Sequence, residues 1–422
     1  MKTMSITKLG EARYDSPVSF SGSDEVFMPA EIQWHGGNVP EELILFEKAG
    51  PRKKVFFDPK NTRAAIVTCG GLCPGLNNVI RSVTRELIRG YAIKSVIGIR
   101  GGYRGLDPKR GKRPIELTDD LVEDIHKEGG TMLGTSRGPV DTGVAVDFLI
   151  NNEVNILFTV GGDGTQRGGN DLFEEARKRG HELAVVGIPK TIDNDVHFVT
   201  RTFGFDTAVD EAVRVINSAH TEARSVDNGV SIVKLMGRHA GFIAAAATVA
   251  SQDVNFCLVP EIPFALEGPR GLFAAMERRL GKKSHAVLVV AEGAGQELLE
   301  SNDERDESGN LRLKDIGHFL KDQFQAHFKK RGIEMTLRYF DPSYQIRGCP
   351  ANTQDALICD FMGRHAVHAA MSGRTGLVIS YLHSHFVHVP ISVIARGSKR
   401  LELNGELWNA VLSSTRQRAQ FE

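Results

Sequence analysis

Asn155-Ile156-Leu157-Phe158-Thr159-Val160 runs straight into Gly161-Gly162-Asp163-Gly164-Thr165, and this junction decides the fold. The first six residues are an apolar, β-branched run of the kind expected for a strand buried on both faces. A glycine-rich turn at the carboxyl end of such a strand suits a phosphate. Gly161, Gly162 and Gly164 lack Cβ atoms, so backbone N–H groups can approach phosphate oxygens, and Asp163 offers a hard carboxylate oxygen for Mg²⁺. Taken alone, the stretch reads equally well as a tight strand-to-helix turn, with Asp163 capping a helix from Gly168 to Arg179.

A second junction repeats the pattern. Glu182-Leu183-Ala184-Val185-Val186-Gly187-Ile188 is another buried-strand run, and it delivers Pro189-Lys190-Thr191-Ile192-Asp193-Asn194-Asp195 to a strand's carboxyl end, where open α/β sheets bind ligands. Asp193 and Asp195 would repel each other if close, which raises the proton affinity of one and suits a general base. Lys190 and Thr191 add a cation and a hydroxyl for phosphoryl oxygens. A polar surface turn is the plainer alternative, because Asp and Asn are common turn formers.

Outward from these loops, apolar runs alternate with helical patterns: 64–68, 95–99, 154–160, 183–188, 231–235, 256–259, 286–291 and 377–381. The alternation predicts doubly wound parallel sheets. Val79, Ile80, Val83, Leu87 and Ile88 form a 3.6-residue stripe, and 208–219 and 351–371 behave similarly, as helices covering a sheet do. A chain of 422 residues exceeds the usual single core, so two domains of this type are expected. Residues 1–60 lack a sustained period and read as an extension wrapping the core or partly disordered. The charged stretch 300–310 reads as a solvated loop.

Lys plus Arg and Asp plus Glu both number 52, which gives no reason to expect a nucleic-acid or anionic-membrane binder. Five cysteines without metal-ligand spacing read as reduced and structural. No run reaches membrane-spanning length and no leader pattern is visible, so a soluble cytoplasmic protein is expected. His239, His365, His383, His385 and His388 read as surface or satisfied histidines, with no carboxylate partner or metal spacing in view.

Further strand ends carry polar loops. Cys69-Gly70-Gly71-Leu72-Cys73-Pro74-Gly75 follows one strand, and its glycine spacing is not that of a dinucleotide fingerprint. Arg137, between Gly134 and Gly138, presents a guanidinium able to fork onto phosphate. Met236-Gly237-Arg238 and Glu292-Gly293 end two more strands, where a cation suits an anionic sugar and a carboxylate accepts from sugar hydroxyls. Arg338 and Tyr344-Gln345-Ile346-Arg347 form a late cation pair. A structural turn needs no Arg, Glu or Asp at every strand end, so the loops together point to a ligand site.

As a set, in order from about Arg63 to Trp408, these loops resemble the 6-phosphofructokinases. The combination Gly-Gly-Asp-Gly-Thr, Pro-Lys-Thr-Ile-Asp-Asn-Asp and Lys-Leu-Met-Gly-Arg is most similar to the ATP-dependent branch of trypanosomatids and plants, itself related to the diphosphate-dependent enzymes. The resemblance implies two Rossmann-like doubly wound α/β domains: an extension over 1–60, a nucleotide-binding domain over 61–195, a sugar-phosphate domain over 196–400 and a helical tail over 401–422, with either domain able to be discontinuous. It implies that Asp193 takes the proton from the 1-hydroxyl of fructose 6-phosphate, aided by Lys190 and Arg238. Asp163 would hold Mg²⁺, while Gly71, Arg137, Gly138, Gly162, Gly164 and Thr165 contact ATP. Thr191, Ile192, Asp195, Met236, Gly237, Glu292, Arg338, Tyr344, Gln345, Ile346 and Arg347 would hold the sugar, Arg338 reaching in from a neighbouring subunit of a homotetramer. Gly229 stands where bacterial enzymes have an arginine, which puts that intersubunit contact set in question.

Gly164 bears on the donor, because diphosphate-using relatives carry aspartate there, and a carboxylate would crowd a nucleotide's α-phosphate. Lys190 resembles the diphosphate branch. Three other readings remain: a diphosphate-dependent phosphotransferase, a member of the NAD and diacylglycerol kinases that share Gly-Gly-Asp-Gly-Thr, and a catalytically inactive regulatory subunit.

Overall fold

The computed structural model describes residues 2–18, 26–30, 43–299, 304–305, 311–394 and 397–422. Most of the expected 300–310 loop lies outside the described residues. The chain is mixed α/β and divides into two compact units, one of residues 1–191, 196–204 and 348–398, the other of residues 192–195, 205–347 and 399–422. Residues 348–398, placed with the second domain on sequence grounds, thus cluster with the first unit. The chain passes from one unit to the other inside the second loop, between Thr191 and Ile192.

In the first unit the strands Ser95–Ile99, Arg63–Thr68, Ile156–Gly161, Ala184–Pro189 and Leu377–Leu382 run parallel in that order. Ala65, Val67, Leu157 and Val185 join a core with Phe148 of helix Thr142–Asn151 and Leu172, Phe173 and Ala176 of helix Asp163–Lys178. Side chains alternate along a strand, so Ile66, Phe158 and Val186 face the other side, and they too are fully buried. Both faces are therefore covered, which is why these strands read as continuous apolar runs.

The described part of residues 1–60 lies against the first unit as strands. Ile44–Lys48 pairs antiparallel with His385–Pro390, which pairs antiparallel with Leu377–Leu382, and Lys2–Thr3 and Phe27–Pro29 flank Ile44–Lys48. The extension thus completes one edge of the sheet. Beneath that edge Glu47 accepts a hydrogen bond from Arg374 Nε at 2.9 Å, meets Arg52 at 3.5 Å and lies 2.9 Å from His388 Nδ1. His388 is fully buried and does have a carboxylate partner, contrary to the sequence reading.

In the second unit four parallel strands stand in the order Phe256–Leu258, His285–Ala291, Gly229–Leu235 and Thr336–Phe340. Their core includes Leu288 and Val290 with Phe273 and Met276 of helix Leu272–Lys283, and Leu320, Phe324 and Phe328 of helix Ile316–Lys330. Gly229 opens its strand at the amino end, where a Cβ would collide with the Ala223 carbonyl. All five cysteines are free thiols, and among the described residues no helix is long and apolar enough to cross a membrane.

Candidate active site

Parallel register brings three loops of the first unit to one edge of its sheet. Val160 is aligned with Thr68 and Gly161 with Pro189, so the loops that start at Cys69, Gly162 and Lys190 emerge side by side. Hydrogen bonds knit them together: Cys69 N donates to Val160 O at 2.9 Å, Lys190 N to Gly161 O at 3.0 Å, and Lys190 Nζ to Gly71 O at 2.7 Å. A fourth loop joins through Gly70 N donating to Ser136 O at 3.0 Å and Thr135 Oγ1 to Gly70 O at 2.7 Å. Arg137 Nη2 consequently lies 3.6 Å from where a Cβ on Gly71 would stand. One ammonium and one guanidinium flank a glycine-lined edge, a donor set suited to a polyphosphate.

Asp163 opens helix Asp163–Lys178 behind the N-cap Gly162, and both Asp163 and Gly164 are exposed. The cap is thus glycine, and Asp163 is a first-turn residue at the positive end of the helix. Nothing lies within 4 Å of a Cβ built on Gly164. Among the described residues no group of three or more His, Cys, Asp or Glu could hold a metal. A single carboxylate that shares the cation with substrate phosphates is the usual arrangement for Mg²⁺, and exposed Asp163 fits it.

The second unit presents a cluster of a different kind. Strands Gly229–Leu235 and His285–Ala291 are paired over their full length, with Leu235 beside Ala291, so Met236-Gly237-Arg238 and Glu292-Gly293 leave the sheet together. Glu292 N donates to Leu235 O at 2.8 Å and Gly293 N to Gly237 O at 3.0 Å. Gly237 sits at φ +127°, and a Cβ on Gly293 would collide with the Arg238 carbonyl, so both positions require glycine for this close approach. Arg238 N lies 3.4 Å from Asp193 Oδ2. Loss of hydration, then the charges of Asp195 and Glu292, push the Asp193 carboxyl up to about 7, against the pull of the Arg238 N–H and the Arg347 charge. The sequence reading credited Asp195 with this effect; burial is the larger cause. A carboxylate poised near neutrality among cationic groups can accept a proton from a bound hydroxyl.

A family model for phosphofructokinase matches residues 63–370. The chain belongs to the phosphofructokinase family. It is 49% identical over 383 residues to the ATP-dependent 6-phosphofructokinase of Borreliella burgdorferi, a match covering 89% of this chain and 86% of that one. It is 47% identical to the ATP-dependent 6-phosphofructokinase 7 of Arabidopsis thaliana, covering 90% and 80%, and 48% identical to the enzyme of Trypanosoma cruzi, covering 88% and 77%. Among solved structures, the pyrophosphate-dependent phosphofructokinase of Marinobacter aquaeolei superposes with a TM-score of 0.70 at 20% identity, over 84% of this chain and 91% of that one, a likeness of fold.

Not every residue singled out from sequence joins these clusters. Ile346 and Met236 are fully buried, Ile192 is nearly so, and their side chains serve packing. Thr165 is 8% exposed, its side chain against Gly161 and its carbonyl accepting from Tyr103 at 2.6 Å. Arg338 is aligned with Ser231, four residues short of Leu235, so its Cα stands roughly 13 Å before the strand end. Its ion-pair partner is Glu222, at 3.8 Å. Tyr344 is 86% exposed, and Gln345 and Gly138 are also exposed.

One residue the sequence reading missed is Gln166. Its amide, 2% exposed, donates to Gly161 O at 2.9 Å and lies 3.3 Å from both Thr159 O and Ile188 O. It ties the ends of the two strands that deliver Asp163 and Lys190. The available signal was Gly187, a glycine inside a buried strand, where a Cβ would overlap Gln166 Oε1.

Proposed function

We infer that this chain catalyses ATP-dependent phosphorylation of the 1-hydroxyl of fructose 6-phosphate, giving fructose 1,6-bisphosphate and ADP, a step of glycolysis. The observation that carries the reading is the Asp193 carboxyl, held near 7 within a group formed by Asp195, Arg238, Glu292 and Arg347. Curated relatives named as ATP-dependent 6-phosphofructokinases, 43–49% identical over most of the chain, support it. Asp193 takes the proton as the sugar oxygen attacks the γ-phosphorus and the bond to ADP breaks. Lys190 and Arg238 offset charge on the transferred group in a loose transition state. Mg²⁺, held by Asp163 and phosphate oxygens, supplies charge neutralisation when bound. Gly71, Arg137, Gly138, Gly162, Gly164 and Thr165 are assigned to the nucleotide. Thr191, Asp195, Gly237, Glu292, Tyr344, Gln345 and Arg347 are assigned to the sugar, with Met236, Ile192 and Ile346 as packing supports. Arg338 is assigned to the sugar phosphate of a neighbouring subunit, in keeping with its exposure in the single chain.

The open space at Gly164 favours ATP over diphosphate, while Lys190 keeps diphosphate as the second reading. A coupled assay with fructose 6-phosphate, offering each donor in turn with Mg²⁺, decides: turnover with diphosphate alone sinks the ATP assignment, and turnover with neither sinks the function. An allosterically controlled cytoplasmic homotetramer follows from the family resemblance, and light scattering on the purified protein tests the oligomer.

A further inference from the structure

Lys234 opens the Lys-Leu-Met-Gly-Arg stretch, yet no role has been given to it so far. It is the penultimate residue of the strand that delivers Met236, Gly237 and Arg238, and its side chain is 12% exposed. Its ammonium lies 2.8 Å from Asp341 Oδ2 and 3.0 Å from Asp315 Oδ2. Each carboxylate does a second job. Asp341 Oδ1 accepts from Ser343 N at 3.1 Å and from Ser343 Oγ, an Asx turn that leads into the short helix Ser343–Gly348, which carries Tyr344 and Arg347. Asp315 caps helix Ile316–Lys330 through His318 N at 3.0 Å and accepts from Tyr339 Oη at 3.0 Å.

One largely shielded cation therefore binds two carboxylates at helix starts, and the two lead to different places. The Asp341 arm leads to Arg347, whose charge acts on Asp193; the Asp315 arm leads to a helix bearing none of the assigned residues. A short helix of six residues has little stability of its own, so its placement depends on what fixes its start. A lysine whose ammonium reaches two carboxylates at these distances ties the strand to both helix starts.

We propose that Lys234 is a positioning residue of the sugar-phosphate site: through Asp341 it fixes the start of helix Ser343–Gly348 relative to the strand that leads to Arg238, and so places Arg347. The assignment rests on the function inferred above. It separates the Lys234–Asp341 contact from the Lys234–Asp315 contact, which serves the fold alone.

The test compares Lys234→Met, Asp341→Asn and Asp315→Asn with the unaltered enzyme. Asparagine retains the oxygen that accepts from the backbone at either position and keeps Lys234 with one carboxylate, so the two Asn variants remain folded if Lys234→Met does not. Lys234→Met and Asp341→Asn are expected to raise the KM for fructose 6-phosphate roughly ten- to hundredfold, with the KM for ATP unchanged. Retreat of the Arg347 charge also moves the acid limb of kcat/KM to higher pH. Asp315→Asn is expected to lower the melting temperature while leaving the sugar KM and the limb in place. Hydrogen exchange gives a readout independent of turnover: backbone amides 343–348 lose protection in Asp341→Asn and keep it in Asp315→Asn. If the two Asn variants behave alike, or amides 343–348 are unaffected by loss of Asp341, the inference is overturned. Absence of turnover in the unaltered enzyme would instead overturn the functional reading, and the exchange comparison would still judge the anchor.

Discussion

Gly164→Asp separates donor choice from folding. The position is the second residue of helix Asp163–Lys178, it is exposed, and a Cβ there meets nothing within 4 Å. The protein itself therefore tolerates the side chain, and an acid in the first turn stabilises a helix by about 0.3–1 kcal/mol. The cost falls on the ligand. Taking about 6 Å between the new carboxylate and a nucleotide phosphate, with an effective dielectric constant near 20, the repulsion is roughly 3 kcal/mol, about a hundredfold in kcat/KM. The coupled assay should show kcat/KM for ATP falling by about that factor, the KM for fructose 6-phosphate unchanged and the melting temperature equal or higher. An ATP kcat/KM within twofold of the unaltered enzyme would refute the reasoning, because the added charge would then lie outside the nucleotide's reach. A parallel fall in sugar affinity and melting temperature would refute it differently, by showing that the site is not open.

Three further outcomes are expected. With Asp193 as base, kcat/KM should rise with pH to a plateau through an apparent pKa near 7, and Asp195→Asn should move that limb to lower pH by removing the stronger of the two repelling charges; a limb that stays put excludes Asp195 as a cause. Replacing Gln166 by leucine removes the donor held between the Gly161 and Ile188 carbonyls, which should cost about 1–3 kcal/mol in urea denaturation and raise the KM for ATP while sparing that for the sugar. Burial depresses His365 and His388 to about 4 and His368 to about 3 from 6.5. The unfolded chain then binds protons that the folded chain refuses. Their effect on stability is absent above about pH 7 and grows as pH falls from 6.5 towards 4, by up to about 4 kcal/mol per pH unit if all three act together, partly offset by Glu86, whose carboxyl burial raises. Urea midpoints from pH 8 to 4 measure the slope, and His365→Gln should make it shallower.

The strands that carry the site were legible because burial on both faces leaves a continuous apolar run, as in Ile156–Gly161 and Ala184–Pro189. Thr336–Phe340 escaped because it is an edge strand with partly exposed residues, so Thr, Arg and Tyr interrupt it. Asp193 and Asp195 could be paired from their spacing, yet the loss of hydration that dominates the proton affinity of Asp193 has no local signature. Gln166 looked like any polar residue on a helix, and only Gly187 betrayed the volume it occupies. Glu47 and His388 are 341 residues apart, a separation at which neither residue carries information about the other.

That last pair bears on where this protein can be cut. The family match begins at residue 63, which invites treating everything before it as removable. Yet the carboxylate beneath Arg374 and His388 comes from residue 47. Removing only the residues before 63 would leave the Arg374 guanidinium without its Glu47 carboxylate and uncover strand His385–Pro390 where Ile44–Lys48 pairs with it, an invitation to self-association. The boundary drawn by ancestry and the boundary drawn by folding differ by at least one strand, and a soluble fragment has to respect the second.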